Sequence, residues 1–257
     1  YVDLSTLKSV EVLKGPASSL YGSDALGGLV SYQSLYPEDL LGAEETFKIE
    51  LPVKYDGSSN QTSGTTRIAV RDDDSGIEGV IVTTISYGEE DNVKADDKYI
   101  DDSEISKKNI YTNIVKNIDD YTRFNLIYEN VDTKRNTIQA KARLSSLYSS
   151  VEEDVDVNRW MGQLGYEYEN EDSGKLFEYA KVNLYVQDAE WNDDAKVEYP
   201  GGFSRGSYSA PKSVVNDYRY DDESKGLNIQ FRSDSTSSGV NHEFTYGMDY
   251  STTFNTR

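Results

Sequence analysis

Val10-Glu11-Val12-Leu13-Lys14-Gly15-Pro16-Ala17-Ser18-Ser19-Leu20-Tyr21-Gly22-Ser23-Asp24-Ala25-Leu26-Gly27-Gly28-Leu29-Val30 runs near one end of a chain of 257 residues. Val10 to Leu13 is a short β-prone run. Gly15-Pro16 after it marks a turn, and Ala17 to Tyr21 has the makings of one helical turn stopped at Gly22. Gly27-Gly28 ahead of Leu29-Val30 lets the backbone turn tightly or approach another element closely. The bare pattern is strand, turn, strand over about thirty residues, too small to fold alone.

Composition limits what the rest can be. The chain carries 26 basic and 46 acidic residues, a formal charge of −20, and is 36% hydrophobic. It holds no stretch of 18 apolar residues, so it contains no transmembrane helix. A transmembrane barrel remains open, because only alternate residues of its strands face lipid and the average hydropathy stays low. The 21 Tyr, with 7 Phe and 2 Trp, suit the aromatic girdles of such a barrel. An acidic soluble β protein has the same bulk numbers. The lack of Cys excludes disulfides and thiolate metal sites. With His242 as the single histidine, a histidine-cluster metal site or a histidine-paired nucleophile is excluded within this chain. No basic stripe is present to bind nucleic acid. The chain opens at Tyr1 without Met or an apolar leader, so a secretory signal is expected to be cut off or to lie further upstream.

The stretch from Val10 to Val30 resembles the closing part of the plug domain of TonB-dependent receptors: a hydrophobic-Glu-hydrophobic run, a basic residue, Gly-Pro, a small-residue turn, Tyr-Gly, then Gly-Gly before the last plug strand. The resemblance implies a structural and gating role for Lys14, Gly15, Pro16, Tyr21, Gly22, Gly27 and Gly28 within a plug that blocks the lumen and shifts when energy arrives. Lys14 stands where the family often has Arg, which keeps the charge and loses the planar donor fork. Residues 33–45 become the link from plug to barrel, and Pro37-Glu38-Asp39-Leu40-Leu41 resembles the haem, haemoglobin and transferrin receptor branch. His242 to Tyr250 is similar to a strand of the same branch.

Everything after residue 43 serves as a test of that implication. Nine strands are expected, at 44–56, 62–73, 77–89, 107–118, 120–134, 155–171, 175–191, 222–235 and 240–256. Phe47, Ile49, Leu51, Val53 and Tyr55 share one side of the first. Phe124, Leu126 and Tyr128 oppose Arg123, Asn125 and Glu129 in the fifth. Trp160, Leu164 and Tyr166 oppose Arg159, Gln163 and Glu167 in the sixth. A soluble sandwich gives the same period of two. The connections discriminate better. Asp74-Ser75-Gly76, Asp119, Asp172-Ser173-Gly174 and Thr236 to Gly239 are tight turns. Those near 90–106, 135–154 and 192–221 are long and polar, which puts every long loop on the side away from the plug's entry, with 57–61 a short exception. The expected fold is therefore all-β: a partial antiparallel transmembrane β-barrel of about nine strands out of about 22, preceded by the C-terminal end of a plug domain. The division is 1–43 for plug end and linker and 44–257 for the first part of the barrel. Nine strands cannot close round a plug, so the chain is expected to lack both ends of its protein.

No catalytic residue, metal or cofactor is assigned. Acidic runs such as Glu89-Glu90-Asp91, Glu152-Glu153-Asp154 and Asp221-Asp222-Glu223 read as solvated charge, and Asp72 to Gly76 lacks EF-hand spacing. His242 reads as a structural residue near an inner turn; by the family resemblance, haem ligands lie outside this chain. Trp160, Trp191 and the strand tyrosines read as girdle residues. The aromatic stretch with Trp191, Tyr199, Phe203, Tyr208, Tyr218 and Tyr220 is the candidate ligand or partner contact, placed in an outer loop. The family resemblance implies TonB-dependent uptake of an iron source, haem or a haem- or iron-carrying protein, across the outer membrane of a Gram-negative bacterium. Its implied partners are outer-membrane lipid and the TonB-ExbB-ExbD complex, the latter through an N-terminal segment absent here. A ferric-siderophore, vitamin B12 or glycan transporter is the second reading, and a soluble acidic β enzyme or adhesin the third.

Overall fold

The computed structural model describes residues 3–15, 28–57, 59–89, 102–139, 149–170, 177–204, 207–237 and 240–256. A 3-10 turn, Leu4–Thr6, is capped by Asp3, whose carboxylate accepts from the Ser5 N–H at 2.8 Å. It leads into β1 (Leu7–Lys14), which pairs antiparallel with β2 (Gly28–Ser34). A second 3-10 turn, Pro37–Asp39, follows. The wall then begins: β3 (Phe47–Glu50), β4 (Val53–Asp56), β5 (Gln61–Asp72), β6 (Ile77–Glu89), β7 (Asp102–Asn117), β8 (Thr122–Ile138), β9 (Ser150–Glu169) and β10 (Tyr179–Tyr199). The short ribbon of β11 (Gly202–Ser204) and β12 (Ser207–Ser209) precedes β13 (Lys212–Ser237) and β14 (Val240–Thr256).

One ten-stranded antiparallel sheet contains all the wall strands, in the order β14-β13-β10-β9-β8-β7-β6-β5-β3, with β4 also on β5. The expected first strand is one wall broken in two. Pro52 has no N–H to give the ladder, although its carbonyl still accepts from Thr65 N at 2.9 Å. From β5 to β14 the pairing runs without a register shift.

That unbroken register gives the sheet two chemically distinct faces. Phe47, Val70, Gly79, Ile114, Leu126, Leu164, Leu184, Leu227 and Tyr250 form one lateral row on the outward face. The apolar members stay open to the surroundings; Leu164 is 58% exposed. Nearer the short turns, Phe124 meets Tyr166 at 5.2 Å and Phe231 meets Tyr246 at 5.5 Å between ring centroids, an aromatic edge to the apolar belt. The opposite face is polar with an apolar patch. There Leu35, Leu40 and Leu41 pack on Ala69, Val80, Val82, Tyr111 and Ile127. Each buried leucine contributes about 1.5–3 kcal/mol.

Several strands outrun their expected ends. The spans expected as loops at 135–154 and 192–221 are entered by strand from both sides: β8 runs to Ile138, β9 starts at Ser150, β10 reaches Tyr199 and β13 starts at Lys212. Beyond the apolar belt the outward face turns polar and the inner one mixed, so the hydropathy alternation fades while the backbone ladder persists. Around the connection expected at 172–174, β9 ends at Glu169 and β10 begins at Tyr179; the expected turn itself lies outside the described residues. The sequence intervals between strands are short after β5, β7 and β13 and longer after β6, β8 and β10, with those after β4 and β9 the exceptions.

Ala69 is fully buried beneath the 35–41 segment, whereas Val70 beside it points outward. Ala69→Leu is expected to destabilise the fold by about 1–3 kcal/mol through overpacking. Val70→Leu should stay within about 0.5 kcal/mol. Urea unfolding midpoints of the two variants check this, and equal midpoints would overturn the face assignment.

Candidate functional site

Two regions gather functional side chains: the seam between the N-terminal segment and the inner face, and the outer half of the β10–β13 pair. The seam is built first on backbone carbonyls of the N-terminal segment. The Leu35 carbonyl accepts from the Tyr111 hydroxyl at 2.6 Å and from Asn113 Nδ2 at 3.1 Å. The Leu40 carbonyl accepts from Lys48 Nζ at 2.8 Å, and that of Gly42 from Arg71 at 3.1 Å. Ser5 meets Thr84, hydroxyl to hydroxyl, at 2.7 Å, and its carbonyl accepts from Arg67 at 3.1 Å. The linker is thus fastened in part through its main chain, beside its three buried leucines.

Glu129 is the centre of the seam. It lies on β8 at 6% exposure, and its carboxylate accepts from Thr6 Oγ1 at 3.1 Å and Asn109 Nδ2 at 3.4 Å. Arg159, on the neighbouring β9, closes the cluster with a salt bridge to the other oxygen. Arg159 also donates to Gln187 Oε1 on β10 at 3.2 Å. A buried carboxylate survives only when charge and lone pairs are both matched, and here three donors, from the N-terminal segment, β7 and β9, do so.

A second ionic cluster holds the Pro37–Asp39 turn. Arg123 bridges Glu38 at 3.2 Å and Glu167 at 2.8 Å, and its guanidinium lies over the Tyr36 ring at 5.2 Å. Burial, with Glu167 adding to it, pushes the Tyr36 phenol above its ordinary range, so it stays neutral beside the carboxylates. Lys8 on β1 reaches Asp39 at 2.7 Å; that hydrogen bond and charge hold its ammonium above its ordinary pKa.

Of the residues singled out in the plug-like stretch, Lys14, Gly15 and Gly28 are described, and register places Lys14 opposite Gly28. Gly15 has φ +107° and Gly28 +150°; a Cβ on Gly28 would meet the Leu13 carbonyl oxygen at 2.7 Å. Both positions need glycine for that reason. Pro16, Tyr21, Gly22 and Gly27 lie outside the described residues.

The aromatic candidates do not sit on one loop. Trp191 pairs with Tyr220 across β10 and β13, with Tyr218 one rung further out opposite Asp193. All three share the face of Gln187, the inner one, so Trp191 is not an outward girdle residue. Trp160 does point outward, on the apolar side, with Gly162 and Leu164. Tyr199 closes the ladder against Lys212, whose ammonium stands 4.7 Å from its ring centroid. Tyr208 pairs with Phe203 on the short ribbon, away from the trio. His242 stacks on Phe244 near the β13–β14 turn. Among the described residues no three acidic or histidine side chains are placed to hold a metal. Glu129 and Arg123 fall in the inward set that alternation predicts; the buried roles of Tyr111, Asn113 and Leu35 had no signal in the periodicity.

Glu129→Ala is expected to cost about 3–5 kcal/mol, because it strands Arg159 and Thr6 in a buried site. Glu129→Gln, which still accepts from Thr6, should cost less. Amide hydrogen exchange at Leu4 to Leu7 reads the difference, and unchanged protection in the alanine variant would remove Glu129 from its anchoring role.

Residues 1–29 match the family described as TonB-dependent Receptor Plug Domain. Heme/hemopexin utilization protein C of Haemophilus influenzae is 37% identical over 60 residues, covering 23% of this chain and 8% of that protein. Transferrin-binding protein A of the same species is 34% identical over 83 residues, covering 32% and 9%. The ferric yersiniabactin uptake receptor of Yersinia pestis shares the fold, with a TM-score of 0.59 at 10% identity over 97% of this chain and 49% of that one. The matches thus span about half of the solved receptor and under a tenth of the sequence relatives. With a plug-type segment clasped by the polar face of a long antiparallel wall, the chain is similar to part of a TonB-dependent receptor: at residues 1–29 in sequence and along the wall in fold.

Proposed function

We propose that the chain belongs to an energy-coupled importer of the bacterial outer membrane that takes up an iron source, with haem or a haem- or iron-carrying protein as the favoured cargo. The observation that carries this is the two-sided wall: an unbroken apolar belt outward and a polar inner face tied to the plug-type segment through Glu129, Arg123 and the Leu35 carbonyl. Such a surface suits lipid on one side and a gated lumen on the other. In this reading residues 1–43 are the plug end and linker and 44–257 the first barrel strands. Lys14 to Gly28 forms part of the gate, and TonB-ExbB-ExbD supplies energy through a segment outside this chain. The names of the sequence relatives, haem and transferrin receptors, support the choice of cargo.

Trp191, Tyr218 and Tyr220 then line the outer vestibule above the seam. Rigid aromatic faces suit a flat apolar cargo, and Trp191 stands one rung beyond Arg159. Tyr199, Phe203 and Tyr208, nearer the tip, are the positions for contact with a cargo-carrying protein.

Two outcomes are expected in the full-length receptor. Leu164→Lys, in the middle of the belt, should lose about 2–4 kcal/mol and fail to assemble in the outer membrane. Gln163→Lys, one residue away on the inner face, should assemble. Equal tolerance, or recovery of the receptor without detergent, would sink the membrane reading. Deleting the gene should abolish growth on haem as sole iron source and spare growth on ferric siderophore. In the complemented strain, Trp191→Ala with Tyr220→Ala should weaken haem binding roughly tenfold. Growth on haem unaffected by the deletion would reject the cargo.

A further inference from the structure

On the inner face, the register from β4 to β8 lines up one row: Lys54, Ser63, Ser86, Lys107 and Thr133. Two cations thus stand on either side of two hydroxyls. In the neighbouring row Thr65 and Thr84 are bonded to each other at 3.0 Å, and Thr84 to Ser5 of the N-terminal segment at 2.7 Å. Leu4 and Ser5 face the wall here, and a cavity of about 450 Å³ lies between them and the row. Ser86 lines that cavity at 8% exposure and makes no hydrogen bond among the described residues. The Thr133 hydroxyl, at the end of the row, is covered by its neighbours and is not counted among the donors.

We propose that this cavity is an oxyanion site for a phosphate group, free or as a diphosphate. Lys54 and Lys107 reach the ion from its two sides, and the Ser63 and Ser86 hydroxyls donate from the floor between them. The charges that face the cavity permit an anion. The positions bordering Lys107 on this face are Ser86, Thr133, Ile105 and Asn109, none of them acidic. Lys54 forms no ion pair among the described residues, although Asp56 follows two residues on along the same side of β4. Glu50 is shared between Lys48 and Arg67, and the Asp3 carboxylate accepts from the Ser5 N–H. Asp56 and Asp3 disfavour an anion beyond the Lys54 end and against the N-terminal turn, which leaves the stretch from Ser63 to Lys107 as its place. Donor geometry selects the ligand. Donors converging from two sides and from the floor suit the tetrahedral oxygens of a phosphate better than the two coplanar oxygens of a carboxylate. By strand spacing Lys54 and Lys107 stand roughly 14 Å apart at Cα, a gap that their flexible stems narrow from both sides. A diphosphate bridges that gap more fully than a single phosphate. The site needs only the docked segment and the wall, and is independent of the cargo.

The test uses the full-length protein in phosphate-free buffer, with orthophosphate and pyrophosphate as probes and isothermal titration calorimetry as the readout. Both are expected to bind, pyrophosphate the more tightly, with acetate at least about tenfold weaker than orthophosphate. Lys54→Gln with Lys107→Gln should weaken pyrophosphate binding roughly thirtyfold, and Lys54→Arg with Lys107→Arg should keep it. Ser86→Ala should cost about threefold. Ser86→Asp, which sets a carboxylate on the cavity floor, should abolish binding. Lys134→Gln, an outward lysine paired with Asp156, is the control and should change nothing. Thermal unfolding midpoints separate lost binding from lost fold; if the paired glutamine variant unfolds, Ser86→Ala decides. Unchanged affinity in that pair or in Ser86→Asp overturns the site, as does a wild-type protein that binds neither probe. Acetate binding as tightly as orthophosphate overturns the phosphate assignment.

Discussion

A period of two leaves a strand no freedom: a slip of one residue exchanges its faces completely. In this wall seven successive pairings hold register from β5 to β14, so every side chain's environment follows from its place in one grid. The apolar belt, the seam with the N-terminal segment and the inward aromatic trio are three readings of that grid. None would survive a bulge in the middle of the sheet. The register shift recorded between Leu7 and Ser9 lies in the β1–β2 ribbon, off the wall.

The seam shows how a segment with little core of its own is held in place. Residues 3–8 and 34–45 bury three leucines, and otherwise rely on main-chain carbonyls offered to wall donors and on two ionic clusters. Such contacts are short-ranged and directional, so they break in discrete steps when the segment moves. Buried charge carries a desolvation cost that only full pairing offsets. Glu129 with Arg159, and Arg123 with its two glutamates, therefore favour one docked position sharply over nearby ones. For the proposed gating role that property matters more than maximal stability.

Much of this was legible in the sequence, for physical reasons. The Lys14 to Gly28 string requires glycine where the backbone leaves the ordinary regions, and φ at Gly15 and Gly28 shows that requirement directly. Alternation in Phe124 to Glu129 and Trp160 to Glu167 placed the faces correctly because a belt beside a polar lumen maximises contrast. Where the contrast fades, the reading failed. Asn192 to Tyr199 and Lys212 to Tyr220 lack a clean apolar–polar alternation, so they read as a loop, although the ladder Tyr179↔Arg232 to Tyr199↔Lys212 is continuous. Pro52 interrupts the first strand at a place where the apolar pattern runs on undisturbed. The inward burial of Tyr111, Val80 and Ile127 depends on what lies against them, residues 35–41, and no local pattern encodes that meeting.

The extension of β10 and β13 changes the thermodynamics of whatever meets Trp191, Tyr218 and Tyr220. Side chains on a long loop must be ordered when a partner arrives, at about 0.5–1.5 kcal/mol for each one immobilised and more for the backbone. On a hydrogen-bonded ladder that ordering is completed during folding, long before any encounter. Contact at this wall is then limited by fit and desolvation and not by search among conformers. Under the proposed uptake function, discrimination between cargoes of similar size becomes a matter of shape, since a preorganised surface cannot remodel itself to accept the wrong one.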